Sequence, residues 1–172
     1  RDEFEIFAQQ LSGKSRYSSL ELMEAMYSLA QAGYQQEDIF KILPATLELA
    51  TAQNYDLEES TRIIVSSMSA YGSKINEVSR YTNAFAAANS ASQLSMEDMG
   101  YAIKYMNPTL SALGMTIEQG LAMVAVLRDI GYKGEGAGRV IRDMFNDMVA
   151  TTPKATAILR EHGLQIYKNQ EE

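Results

Sequence analysis

The chain has 172 residues, room for one ordinary domain with its own core. Its formal net charge is −7 and its basic residues are scattered, which argues against a nucleic-acid partner, because a phosphate-binding face needs concentrated Lys and Arg. Cysteine is absent, excluding disulfides and thiolate metal sites, and an apolar fraction of 46% argues against disorder over most of the length.

Ala, Leu, Met, Glu and Gln are frequent and there are only three prolines, a balance that favours helix. Ten methionines and no tryptophan point to an adaptable core or to a surface that repacks against a partner. The chain starts Arg1-Asp2-Glu3, with no initiator Met and no apolar leader. It therefore reads as lacking a signal peptide and as a piece of something longer.

Glu3 to Leu11 carries Phe4, Phe7 and Leu11 on one helical face, and Ser12-Gly13-Lys14-Ser15 ends it. Ser18 and Glu21 have capping-box spacing, opening a helix that runs to about Ala32 and stops at Gly33. The next begins at Gln36-Glu37-Asp38, where acidic residues suit the N-terminal dipole. Pro44 lies inside it and predicts a kink or a break, since proline removes a donor and crowds the preceding turn. Its second part runs to about Gln53 and Asn54.

Asp56, with Glu59 three residues on, caps a helix that puts Leu57, Ile64, Met68 and Tyr71 on one face and ends at Gly72. Ile75, Val78, Thr82 and Phe85 start another, through an alanine-rich stretch to Asn89. Ser95 and Asp98 form a further box-like start, followed by Met96, Met99, Ile103, Met106 and Leu110 at helical spacing. Pro108 should bend or split that segment, which stops at Gly114.

Thr116 and Gln119 open a helix to Gly131 that is apolar nearly all round, from Ile117 through Val124, Val126 and Leu127 to Ile130. Such a helix belongs inside a core with others around it. Gly134, Gly136 and Gly138 then precede a helix from about Ala137 to Ala150. Thr152 and Pro153 start a last short one that ends at Gly163, before a polar tail. No stretch alternates with period two, so the fold class is all-α: about seven to nine short antiparallel helices joined by tight Gly or Asn turns. The predicted divisions are an N-terminal helix and linker over residues 1–17, a helical core over 18–150, and a C-terminal helix with a fraying tail over 151–172.

Glu37, Glu58, Glu77, Glu97 and Glu118 recur at intervals of about twenty residues, each at a helix start. That spacing fits a helix-and-turn repeat whose units bury their faces on neighbours. It fits ordinary punctuation of short-looped helices equally well.

Candidate chemistry is sparse. His162 is the only histidine and sits near a helix C-terminus, where it serves a dipole better than a catalytic triad. The glycines from Gly134 to Gly138, with Lys133 and Arg139 beside them, suggest an anion cradle, but no strand precedes them, Glu135 opposes a phosphate, and a close helix approach explains them better. Asp143 and Asp147 lie one turn apart without further metal ligands. Glu59-Ser60 and Gly163-Leu164-Gln165-Ile166 echo pieces of helical transglycosylases, but they are far apart and incomplete. Neither a metal nor a cofactor is expected.

Three ordered phrases carry a resemblance: Leu29-Ala30-Gln31-Ala32-Gly33 followed by Leu43-Pro44-Ala45-Thr46-Leu47-Glu48-Leu49-Ala50; Phe85 to Ser90 followed by Ser95 to Tyr105, including Glu97, Asp98 and Gly100; and Leu113-Gly114-Met115-Thr116-Ile117-Glu118 leading through Gly131 to Lys133–Arg142, with Gly134 and Gly138. Together, over about Ser19 to Met148, they resemble the core region of phage tail tape measure proteins of the TP901 type. Arg139 departs from the family's usual small residue, and Tyr55-Asp56 from its usual turn.

The resemblance implies a structural, non-enzymatic piece of a phage or prophage protein that lies in the lumen of the virion tail and sets its length. It implies tube, tail chaperones and tail-tip hub as partners, the host cytoplasm as the place of assembly, and leaves self-association open. Gly33, Pro44, Glu97, Asp98, Gly100, Gly114, Gly131, Gly134 and Gly138 would be its structural motif residues. The alternative is a helical adaptor whose Met-rich groove takes a partner helix. A tail-associated hydrolase is a distant third.

Overall fold

The structure, a computed structural model, describes residues 2–149 and residue 161. Among these the chain forms eight α-helices and no strand: α1 (Asp2–Ser12), α2 (Ser19–Gln31), α3 (Gln36–Ala52), α4 (Leu57–Ala70), α5 (Val78–Ser92), α6 (Met96–Ala112), α7 (Ile117–Asp129) and α8 (Gly134–Val149). A single 3-10 turn, Ile75–Glu77, leads into α5.

Side-chain caps start four of the helices. Ser18 and Thr116 each accept from the backbone three residues on, and Glu21 and Gln119 return the bond, so both make full capping boxes. Asp56 accepts from the Glu59 N–H at 2.8 Å, but the Glu59 carboxylate turns instead to Arg62. Ser95 accepts from the Asp98 N–H at 3.0 Å, and the Asp98 carboxylate is likewise used elsewhere.

The helix ends are more uniform than the starts. Gly33, Asn54, Gly72, Gly114 and Gly131 all take positive φ. In each case the following residue's N–H reaches back to the last turn: Tyr34 to Leu29, Tyr55 to Ala50, Ser73 to Met68, Met115 to Leu110 and Tyr132 to Leu127, at 2.9–3.1 Å. This is one Schellman turn used five times. Gln93, at φ 52°, occupies the corresponding left-handed position after α5. The twenty-residue periodicity of the sequence is therefore a repeat of helix plus turn.

Packing repeats as well. From α2 onward each helix contacts the next but one, as in α2 with α4, α3 with α5, and so on to α6 with α8. At the N-terminus Phe7 stacks on Phe40 of α3 at 4.2 Å and Phe4 meets it edge-on at 5.3 Å. The odd-numbered helices thus form one layer and the even-numbered a second, with consecutive helices joining the two. The core lies between the layers, built from residues such as Leu22, Ile42, Ile64, Phe85 and Met106, all fully buried. Five of the ten methionines are in that core. Its buried hydroxyls bond within the layers: Thr61 donates to Thr46, which donates to carbonyls of its own helix.

Several expectations need correction. Neither proline breaks its helix: α3 runs through Pro44 and α6 through Pro108. Buried residues stand on both sides of each (Leu43 and Thr46; Asn107 and Leu110), so packing holds the helix across the missing hydrogen bond. The α5 helix runs on to Ser92, past Asn89, and the glycine cluster lies inside α8 rather than before it. The apolar α7 is not surrounded. Ile117, Leu121 and Val124 are buried, but Val126 and Ile130 are 64% and 68% exposed, because α7 has a layer neighbour on one side only. The last helix expected from Thr152 to Gly163 lies outside the described residues, apart from Glu161.

One ion pair ties the layer neighbours α5 and α7. Arg80 donates to both carboxylate oxygens of Glu118, at 2.6 and 2.8 Å. These hydrogen bonds hold the Glu118 carboxyl down at about 2, against an ordinary value of 4.5. A depressed folded-state pKa stabilises above the unfolded value, and that contribution is lost as pH falls through the folded one. Both side chains are over a third exposed, so solvent screening limits the pair to about 1 kcal/mol or less. Urea titrations of wild type and Glu118→Gln are expected to differ by that amount at pH 7 and to converge between pH 4.5 and about 2. For the turns, Gln93→Gly should stabilise and Gly114→Ala destabilise, each by about 1 kcal/mol, because L side chains disfavour left-handed backbone. Thermal melts read both signs.

Candidate interaction surfaces

The residues singled out by sequence fall into three places. Gly33, Gly114 and Gly131 form helix-ending turns, and Pro44 lies within α3. Glu97, Asp98, Gly100, Gly134 and Gly138 gather on α6 and on the helix packed against it.

The α6 helix is met by close neighbours on three sides. On the α4 side, a Cβ added to Gly100 would stand 2.8 Å from Ile63 Cδ1. On the α7 side, one added to Gly120 would stand 2.9 Å from Met106 Cε. On the α8 side the obstacle is backbone: a Cβ on Gly134 would lie 2.9 Å from the Asp98 carbonyl oxygen, and one on Gly138 2.8 Å from Ala102 Cα and closer still to its carbonyl oxygen. The two glycines, one helical turn apart, let α8 lie backbone-to-backbone on α6. Ala137 and Ile141 fill the same seam and are buried.

Asp98 fastens the seam at its start. Its Oδ1 accepts the Gly134 N–H at 3.1 Å, so a residue in the first turn of α6 caps the first turn of α8. The anion place at the head of the glycine cluster is thus already taken by a carboxylate of this chain. Along the exposed edge, Tyr105 donates to Glu135 Oε1 at 3.0 Å, and the Arg139 guanidinium lies over the Tyr105 ring at 4.7 Å while pairing with Glu135. Those contacts hold the Glu135 carboxyl below its ordinary range, the Arg139 hydrogen bond first. They give Arg139 and Glu135 a packing role.

Two clefts flank α4 on the outer face of the even layer. One, of about 420 Å³, lies between α4 and α6 and is lined by Tyr55, Arg62, Ile63, Glu97, Tyr101 and Lys104 among others. The other, of about 490 Å³, lies between α2 and α4, beside Leu29, Tyr34 and Val65. No methionine lines either cleft. Between α6 and α8 the glycines close the corresponding gap.

Among the described residues, two of the candidate carboxylates are taken up by neighbouring arginines. Glu59 pairs with Arg62 and Asp143 with Arg142, whose Nε donates to it at 2.7 Å. Among the described residues no group of three or more His, Asp or Glu could hold a metal ion. His162 and Gly163–Ile166 lie outside them. Among the described residues, no helix is long and apolar enough to cross a membrane. The motifs had not singled out Ile63, Gly120 or the Arg80–Glu118 pair, and Ala102 stood within the Ser95 to Tyr105 phrase without a role of its own. A small residue at 102, one helical turn after Asp98, was the available signal.

Gly138→Ala should cost about 2 kcal/mol or more, because the new methyl meets backbone and α8 must shift. Gly136→Ala, where the nearest atom is Tyr132 Cδ1 at 3.7 Å, should instead stabilise by about 0.5–1 kcal/mol through helix propensity. Urea denaturation of the two variants tests the contrast.

Comparison with known proteins covers nearly the whole chain. The profile of the phage-related minor tail protein family matches residues 6–172. The chain is 29% identical over 160 residues to the tape measure protein of Pneumococcus phage Dp-1, covering 93% of this chain and 14% of that protein. It is 27% identical over 158 residues to the probable tape measure protein of Escherichia phage P2, covering 92% of this chain and 19% of that one. No solved structure matches it. The chain belongs to the phage-related minor tail protein family.

Proposed function

We propose that this chain is a structural, non-enzymatic segment of a phage tail tape measure protein, resident in the tail lumen and contributing to tail length and assembly. Similarity to two proteins bearing that name, along 93% and 92% of the chain, carries the reading. Tube, tail chaperones and tail-tip hub are the proposed partners of the whole protein. The domain packs as repeated units joined by similar turns. Each short helix depends on its neighbours, since isolated helices of this length are marginal in water. Such an array is suited to folding compactly when free and opening unit by unit in a narrow tube.

A second reading, an adaptor that takes a partner helix, is favoured by the two clefts beside α4. Tail length separates the two. The 130 residues from Ser19 to Met148 would span about 195 Å as one continuous helix, whereas four helices side by side span roughly 40 Å. Deleting them in frame from the parent gene should shorten tails by about 195 Å if the segment is an opened ruler. Shortening by about 40 Å would mean that the array stays folded in the tail, and absent or aberrant tails that it serves assembly. Normal tails of unchanged length contradict the tape-measure role and leave the adaptor.

A further inference from the structure

The α6 helix is packed on three sides, by α4, α7 and α8. Its fourth side carries Glu97, Tyr101, Lys104 and Pro108, spaced i, i+4, i+7 and i+11 along one helical face. All four are exposed, and all four line the α4–α6 cleft. Tyr101 is a large, mainly apolar side chain left 49% exposed in the middle of the array, away from its open ends. Beside it Gly100 puts no side chain into the cleft, whose lining is completed by the buried Ile63 and Ile103.

The charges of this face are unevenly used. On the α4 wall Glu59 and Arg62 satisfy each other. Among the described residues neither Glu97 nor Lys104 has an ion-pair partner. Glu135, whose carboxylate feels Lys104, is already held by Arg139 and Tyr105. A carboxylate and an ammonium thus stand two helical turns apart, roughly 10 Å along the axis, with Gly100 and Tyr101 midway between them.

That order is its own complement when reversed. Turned antiparallel about the point between Gly100 and Tyr101, a second α6 sets its Lys104 against Glu97 and its Glu97 against Lys104. Each Tyr101 then comes against Gly100 of the second copy, where no side chain fills the cleft. A two-fold contact of this kind uses the same patch on both subunits.

We propose that the outer face of α6 is a self-association surface, on which two copies of this chain pair antiparallel, each seating Tyr101 in the other's α4–α6 cleft and exchanging Glu97–Lys104 ion pairs. The pairing needs only the folded array and does not rest on the tail-length reading. A contact built on one helix face belongs with the small, transient interfaces, so the dimer is expected at a Kd of about 0.1–1 mM.

The charges allow a test in which each variant controls the other, read by sedimentation equilibrium of the full chain up to millimolar concentration. Glu97→Lys and Lys104→Glu should each weaken self-association about tenfold or more, because each sets like charges opposite one another twice. Mixed, the two variants should associate with each other as wild type does with itself, since both pairs are then restored. Tyr101→Ser, at an exposed position, should also abolish association while leaving the thermal melt unchanged. A wild-type chain that stays monomeric overturns the proposal. So does a mixture that associates no better than its components. Single variants that self-associate like wild type also overturn it, and place the contact on another face, such as the exposed apolar side chains of α7 and α8. One check needs no variant to fold: amide shifts of the unmodified chain that move with concentration should centre on Gly100 and Tyr101. Shifts centred on any other helix contradict the proposed surface.

Discussion

The backbone contact of α8 on α6 sets the geometry of the C-terminal half. At Gly134 and Gly138 no side chain intervenes, so Ala102 and Asp98 meet the opposing backbone directly. That approach puts the Asp98 carboxylate within reach of the Gly134 N–H, buries Ala137 and Ile141, and brings Arg139 over Tyr105. It also fixes α6, whose remaining faces receive α4 at Gly100 and α7 at Gly120. An anion cradle, a flexible hinge and a packing seam all need glycine, and the neighbouring helix decides for the seam.

Helix positions were largely legible in the sequence, because each cap is a local device. Ser18 with Glu21 and Thr116 with Gln119 need only a three-residue window to be read, and the Schellman turns need only a glycine or asparagine after an apolar run. A break at Pro44 or Pro108 does not occur, because the local rule is outweighed by burial on both sides of the proline. The apolar α7 misled for a related reason: composition reports that a face can be buried, and says nothing of which neighbour is there to bury it. The layer pairings were illegible, since Phe7 with Phe40 or Arg80 with Glu118 join residues more than thirty positions apart without any local mark. The motif residues were visible as a set, but Asp98 as the cap of a distant helix was not, because its spacing from Ser95 already offered it a nearer role.

An array of this kind holds together through nearest-neighbour contacts in two directions, across the layers and along them. Its stability is a sum of interfaces, and its ends are its weakest parts. The proposed function draws on that property: if the segment opens inside the tail, its units can separate one at a time. The polar links at the layer edges, Arg80–Glu118 and Glu135–Arg139, are exposed and contribute little to stability. They fix register between neighbours more than they resist separation.

The most direct measurement is the proton–proton distance across the seam. In a nuclear Overhauser spectrum of the folded chain, the α-protons of Gly138 should give cross-peaks to the α-proton of Ala102, a contact that only backbone-to-backbone packing allows. Finding them would establish the interface on which the C-terminal half depends. Their absence from a spectrum in which α7 and α6 show their own contacts, Gly120 to Met106 among them, would contradict it.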